Sequence, residues 1–281
     1  MRPGARLKAR LSQGLVIAPG AYDALSARIA VQQGAEAVYM TGFGVAGSLL
    51  GVPDIGLVSA AEMVERVRAL SAATAPVPLI ADGDNGHGGI ANVDRIVRLY
   101  EQAGAAAIQL EDQVLPKRCG HMDGKEVVPR AEFVEKIRAA VSARNDDDFL
   151  IIARTDARGP LGLDEALDRA DAYRTAGADL LFVEAPQSAA ELRTVADRLK
   201  GAPLVANMVE DGKTPLLAPG ELAAMGYRLI LFPISALLAT ARAAQRAYAS
   251  VIAGKPLQIQ ERVSFDAYND IVGLNDYRAN D

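Results

Sequence analysis

Tryptophan is absent from the 281 residues, aromatic residues make up 5%, histidine occurs twice and cysteine once. The lone cysteine, Cys119, excludes an intramolecular disulfide framework and any zinc site built from several cysteines, and makes a reducing cytoplasm the default expectation. No apolar run approaches the roughly 20 uninterrupted residues that cross a bilayer. The basic start, MRPGARLKAR, is followed by a short apolar stretch broken at Pro19-Gly20, so it does not read as a signal peptide. Thirty Lys and Arg stand against thirty-five Asp and Glu without a long block of one sign. Neither a nucleic-acid nor a membrane footprint is therefore expected. What is present is 50% apolar residues with ordinary glycine and proline usage, which excludes collagen-like and disordered chains and is enough for a sizeable core.

Short β-compatible runs alternate with longer alanine-, leucine- and charge-rich stretches. The strand candidates are Leu15-Ala18, Ala37-Met40, Pro78-Ala81, Ala106-Glu111, Phe149-Arg154, Leu180-Val183, Pro203-Ala206 and Leu229-Phe232. Helices are predicted over Ala24-Gln33, Ala60-Ala72, Val93-Ala103, Arg130-Arg144, Leu163-Thr175 and Ala189-Leu199, with Gly34, Gly104 and Gly177 placed to end three of them. Continuously apolar strands suit a parallel sheet covered by helices. Eight such units predict an α/β fold, a (β/α)8 TIM-like barrel, with an open doubly wound sheet as the alternative. Gly42-Phe43-Gly44 lacks the further glycine and acidic partner of a dinucleotide fingerprint. The expected organisation is one domain over residues 1–281, with a lid at about 112–128 and a C-terminal helical extension at about 234–281. The long helix from Pro233 to Ala253 could cover a partner subunit or close the bottom of its own barrel.

With the strands placed in a barrel, polar residues collect at their C-terminal ends: Tyr39 and Thr41, Asp82 and Asp84, Glu111, Arg154, then Glu184, Asn207 and Ser235. Catalytic barrels keep their active sites at that end. Asp82, Asp84 and Glu111 offer hard oxygen donors from neighbouring strands, suited to Mg2+ or Mn2+, although an acidic loop capping a helix is the plain alternative. His87 and His121 lie in glycine-containing loops without the spacing of a zinc or iron site. His87 reads as a surface or supporting residue, and His121 as a polar or proton-transfer contact in the lid. Cys119 sits beside Arg118 in KRCGH, where positive charge favours the thiolate, and could serve as nucleophile or acid. Arg154 is a candidate carboxylate clamp because its planar fork binds two oxygens at once. The set favours a small anionic carboxylate as substrate.

The segment EDQVLPKRCGHMDGKEVVP resembles the active-site segment of the isocitrate lyase and phosphoenolpyruvate mutase superfamily, particularly its short methylisocitrate and dimethylmalate lyases. The resemblance continues through AYDALSARIA, YMTGFGVAGSLLGVPDIG, DGDNGHGG, IIARTDAR, LFVEAP, NMVEDGKTPLL and LFPISALLA, spanning roughly residues 15 to 245. It implies that Asp84 is the principal metal-contacting aspartate, with Asp82 and Glu111 holding the ion directly or through water. By the same resemblance Tyr39, Thr41, Gly42 and Phe43 bind the substrate carboxylate, and Asp54 lies near metal and substrate. Lys117, Arg118, Cys119, Gly120 and His121 form the gating loop. Arg154, Glu184 and Asn207 bind substrate or organise the site, and Ser235 lies in a further matching segment.

The implied chemistry is Mg2+-dependent retro-aldol cleavage of a 2-hydroxy di- or tricarboxylate, 2,3-dimethylmalate-like or 2-methylisocitrate, to pyruvate or another 2-oxo acid and a carboxylic acid. Cys119 protonates the carbanion-like carbon, and Tyr39 is a hydroxyl base or an orienting group. Oxaloacetate hydrolysis is the enzymatic alternative, and a non-catalytic carboxylate-binding barrel the alternative of another class. VEAP after Phe182 resembles the dicarboxylate branch, whereas Asn85 and His87 depart from the more common pattern of the metal loop. The resemblance also implies a homotetramer that exchanges a terminal helix between subunits.

Overall fold

The computed structural model describes residues 1–120, 122 and 124–278. Eight parallel strands close a barrel in chain order: β1 (Val16–Ala21), β2 (Val38–Met40), β3 (Leu79–Asp82), β4 (Ala107–Glu111), β5 (Leu150–Thr155), β6 (Leu180–Val183), β7 (Leu204–Asn207) and β8 (Tyr227–Phe232). Closure is made by β8 pairing with β1, with Val16 opposite Leu229 and Ala18 opposite Leu231. All eight expected strands are present, and the barrel replaces the open-sheet alternative. Their ends differ from the sequence reading by a few residues, most at β1, which runs on to Ala21, and at β8, which begins at Tyr227.

Alternation along each strand divides the side chains into two layers. Ala107, Ile152, Phe182, Val205 and Leu231 pack inside the barrel. Their neighbours Ile108, Ile151, Leu181, Ala206 and Ile230 face the surrounding helices. Short strands with no polar face are required by this double burial.

One helix not anticipated from the sequence, α1 (Pro3–Gln13), closes the N-terminal end of the barrel. Leu7 and Leu11 are its apolar contribution to the interior cluster, and Arg6 donates to the Pro76 carbonyl at 2.8 Å. The basic start is thus the polar side of a plug. Crossover helices include α2 (Ala24–Gln32), whose N-cap Asp23 accepts the Ser26 N–H at 2.7 Å. A second is α3 (Ala60–Thr74), begun by a Ser59–Glu62 capping box.

The last long helix, α4 (Ser235–Ile252), follows β8 and has no buried residue. It does not close the barrel bottom, which α1 occupies. On the outer face of β1, Ile17 is 40% exposed. Among the described residues no helix is long and apolar enough to cross a membrane.

Candidate active site

The inward register that fills the barrel also delivers the site. Continuing by twos past the apolar residues Ile80, Ile152, Phe182 and Val205 leads to Asp82, Arg154, Glu184 and Asn207, and Ala107 leads through Gln109 to Glu111. These residues ring one cavity of about 60 Å3 at the C-terminal end of the strands. Tyr39, Thr41, Phe43 and Asp54 line it from the β2 side. Lys117, Arg118, Cys119 and Gly120 cover it from the loop after β4. Thr41 also caps the helical turn behind it, accepting the Gly44 N–H at 3.3 Å.

Asp82, Asp84 and Glu111 are all buried. Asp82 accepts the Gly42 N–H at 3.2 Å on Oδ2 and the Asp84 N–H at 3.1 Å on Oδ1. Residue 42 must be glycine for this approach, since a Cβ would lie 2.7 Å from Asp82 Oδ2. Burial, with Asp84 alongside, pushes the Asp82 carboxyl up to about 6. Burial also raises Glu111 well above the carboxylate range, and its Oε1 is buried with no hydrogen-bond partner. For Asp84, burial is outweighed by the Lys117 ammonium, which holds the carboxyl below its ordinary value.

Lys117 Nζ stands 2.6 Å from both Asp54 and Asp84. Burial would lower the ammonium, but Asp84, Glu111 and Asp54 prevail and hold it protonated. Among the described residues no group of three or more His, Cys, Asp or Glu side chains is arranged around a metal position. Instead, the lysine is the cation at the carboxylates.

Arg154 is fixed from behind. Asp156 accepts from its Nε at 2.8 Å and Nη2 at 3.1 Å, Glu111 lies 3.3 Å from Nε, and the guanidinium sits 5.2 Å from the Phe182 ring centroid. Glu184 accepts from Asn207 Nδ2 at 3.3 Å on each oxygen, while Asn207 Oδ1 is buried with no partner. A buried acceptor left in that state is costly unless a ligand supplies a donor.

The covering loop is tied down by residues the sequence reading did not select. Gln113 accepts the Arg118 N–H at 2.9 Å and donates to the Arg118 carbonyl at 2.8 Å. Lys125 donates to the Gly120 carbonyl at 2.5 Å and to Asp156 at 2.7 Å, linking the loop to the holder of Arg154. Val209, Pro233 and Ile234 add an apolar wall.

Tyr39 donates to Gln109 Oε1 at 3.1 Å. Burial raises its phenol well above its ordinary value, so Tyr39 is protonated at neutral pH. Ser235 is not on the cavity wall; its hydroxyl donates to Glu210. His87 lies in the loop that follows β3, with Nε2 buried and without a partner, and His121 lies outside the described residues. Two sequence signals were available for what was missed: Gln109 is a lone polar residue within an apolar strand, and Asp156 follows Arg154 in the inward register.

The phosphoenolpyruvate phosphomutase family model matches residues 7–252. The chain is 45% identical to the 2,3-dimethylmalate lyase of Eubacterium barkeri, over 99% of this chain and 96% of the relative. A crystal structure of a 2,3-dimethylmalate lyase superposes with TM-score 0.96 at 38% identity, covering 100% of this chain and 95% of the other. An oxaloacetate acetylhydrolase in complex with 3,3-difluorooxalacetate gives TM-score 0.94 at 35% identity, covering 98% and 95%. The chain therefore belongs to the isocitrate lyase and phosphoenolpyruvate mutase superfamily, near its dimethylmalate lyase and methylisocitrate lyase branch.

Proposed function

We propose that this protein is a Mg2+-dependent carbon–carbon lyase that cleaves the C2–C3 bond of a branched 2-hydroxy dicarboxylate of the 2,3-dimethylmalate type. The observation that carries the reading is the placement of Cys119 and Arg154 on one cavity with buried acidic side chains. The donor set fits Mg2+: Asp82, Asp84 and Glu111 offer only hard oxygens, and the Glu111 oxygen without a partner needs a cation or a donor. Those three residues would hold the ion. Once bound, it would polarise the C2 oxygen and the adjacent carboxylate.

The remaining work falls to the chain. Arg154, oriented by Asp156, holds a substrate carboxylate through its planar fork. A base takes the C2 hydroxyl proton, the C2–C3 bond breaks as C2 becomes a carbonyl, and the bonding pair remains on C3. Cys119 gives its proton to C3, so that the 2-oxo acid and the carboxylic acid leave in balance. Lys117 and Arg118 supply positive charge at the loop, and the loop keeps water from the carbanion-like carbon. Thr41, Gly42, Phe43 and Asp54 shape the carboxylate end, and Glu184 with Asn207 sets the opposite wall. A cytoplasmic setting keeps Cys119 as a thiol.

A screen of 2,3-dimethylmalate, 2-methylisocitrate, isocitrate and oxaloacetate with Mg2+, with products identified by mass, tests the reading. Pyruvate and propionate from dimethylmalate are expected. Turnover of oxaloacetate alone, to oxalate and acetate, would replace it with the hydrolase, and binding without cleavage of any compound would leave a carboxylate-binding barrel.

For the assembly we propose a homotetramer exchanging α4. A groove of about 910 Å3 between β1, α2 and the first turns of α4 is lined by Leu15, Ile17, Leu25 and Ile29, while no residue of α4 is fully buried in its own subunit. Light scattering should give about four times the 29.6 kDa chain mass. A monomer at micromolar concentration would contradict this.

A further inference from the structure

Gln109 lies on the inward face of β4, one step below Glu111, and is fully buried. Its amide joins two residues of the cavity wall. Nε2 donates to Asp82 Oδ1 at 3.4 Å, and Oε1 accepts from the Tyr39 hydroxyl at 3.1 Å. The two bonds fix the direction of the amide: its NH2, which only donates, faces Asp82 Oδ1, and its oxygen, which only accepts, faces the Tyr39 hydroxyl. The second lone-pair side of Asp82 Oδ1 is already engaged by the Asp84 N–H at 3.1 Å.

A phenol has one proton and two acceptor sites. With the Tyr39 proton committed to Gln109, the oxygen that lines the cavity has only lone pairs to offer a ligand. We infer that Gln109 is a positioning residue that fixes Tyr39 as a hydrogen-bond acceptor for the substrate's 2-hydroxyl group, giving the site a contact that a 2-oxo acid cannot make.

This rests on the cavity being the hydroxy-acid site. It gives the contact a direction along the reaction: the substrate C2–OH donates to Tyr39, and the C2 carbonyl of the product has no proton with which to keep that bond. Tyr39 therefore holds substrate more firmly than product.

The test uses lactate and pyruvate, which differ only at C2, titrated by NMR in the presence of Mg2+ against the full-length protein. Tyr39→Phe is expected to weaken lactate by about five- to tenfold, the scale of one lost hydrogen bond, and to leave pyruvate within about twofold. Gln109→Met frees the Tyr39 proton and should lower the lactate preference in the same direction. The double variant should show no greater loss of preference than Tyr39→Phe alone. Equal loss of both ligands in Tyr39→Phe, or a larger loss of pyruvate, would overturn the inference, and this variant decides the matter even if Gln109→Met does not fold. Failure of the unsubstituted protein to bind either acid would remove the site reading itself, an outcome distinct from equal weakening.

Discussion

Cys119→Ala is expected to lower pyruvate release from 2,3-dimethylmalate by ~10²–10⁴-fold, the range spanned by a positioned general acid. The affinity for the 2-oxo acid product should change little, because the proposed carboxylate contacts are those of Arg154 and the β2 side, which line the cavity with the thiol. Cys119→Ser tests the same step more finely. It puts a hydroxyl of similar size, whose proton is held more tightly, in place of the thiol, so turnover should stay far below that of the unsubstituted chain. A variant with ordinary turnover would show that C3 takes its proton from elsewhere. A loss matched by an equal loss of product binding would make Cys119 a wall residue.

Gly120→Ala should be nearly as damaging by a different route. A Cβ at residue 120 would lie 2.2 Å from Arg154 Nη2 and 2.6 Å from Glu184 Oε1. Neither neighbour has room to retreat, since both are buried and Arg154 is held by Asp156. The loop must then sit higher, carrying Cys119 away from C3 and breaking the Lys125 bond to the Gly120 carbonyl. A displacement of about 1 Å in a reacting group can cost 10²-fold. Turnover is expected to fall by about that factor, with KM rising and with global stability preserved because the barrel core is untouched. Faster proteolysis of the loop in Gly120→Ala, compared with Cys119→Ala, would separate the two causes. Unchanged kinetics in Gly120→Ala would mean that catalysis uses a loop position other than this one.

The barrel was legible because strands buried on both faces must be short apolar runs, and eight such runs separated by helical patterns leave few arrangements. The ring of polar residues was legible for a related reason: polarity at the C-terminal end of an otherwise apolar strand has no packing explanation. Helix α1 was not, because its single apolar stripe of Leu7 and Leu11 is embedded in basic residues and becomes meaningful only against the open end of the barrel. Ser235 follows the last strand as the others follow theirs, but the chain turns into α4 there and its hydroxyl meets Glu210.

The deeper connections depend on three-dimensional pairing. Lys125 is six residues beyond Cys119 and looks like a solvated loop charge, but it is buried on Asp156. Asp156 in turn orients Arg154, so that the loop and the guanidinium share one carboxylate. No spacing rule relates those three positions. Likewise, the buried Asp112 accepts from Thr155 at 2.8 Å, Tyr173 at 2.7 Å and Arg169 at 3.1 Å, anchoring the start of the loop to the β5–α side of the barrel. Sequence patterning could place Asp112 after β4, but not name those donors.

The most direct measurement is cleavage of 2,3-dimethylmalate in D2O with Mg2+, followed by NMR of both products. The protein should release pyruvate together with propionate carrying one deuterium at C2, the former C3, and Cys119→Ala should suppress both products together. Propionate free of deuterium, or no cleavage in the presence of Mg2+, would contradict protonation of a carbanion-like carbon at this site.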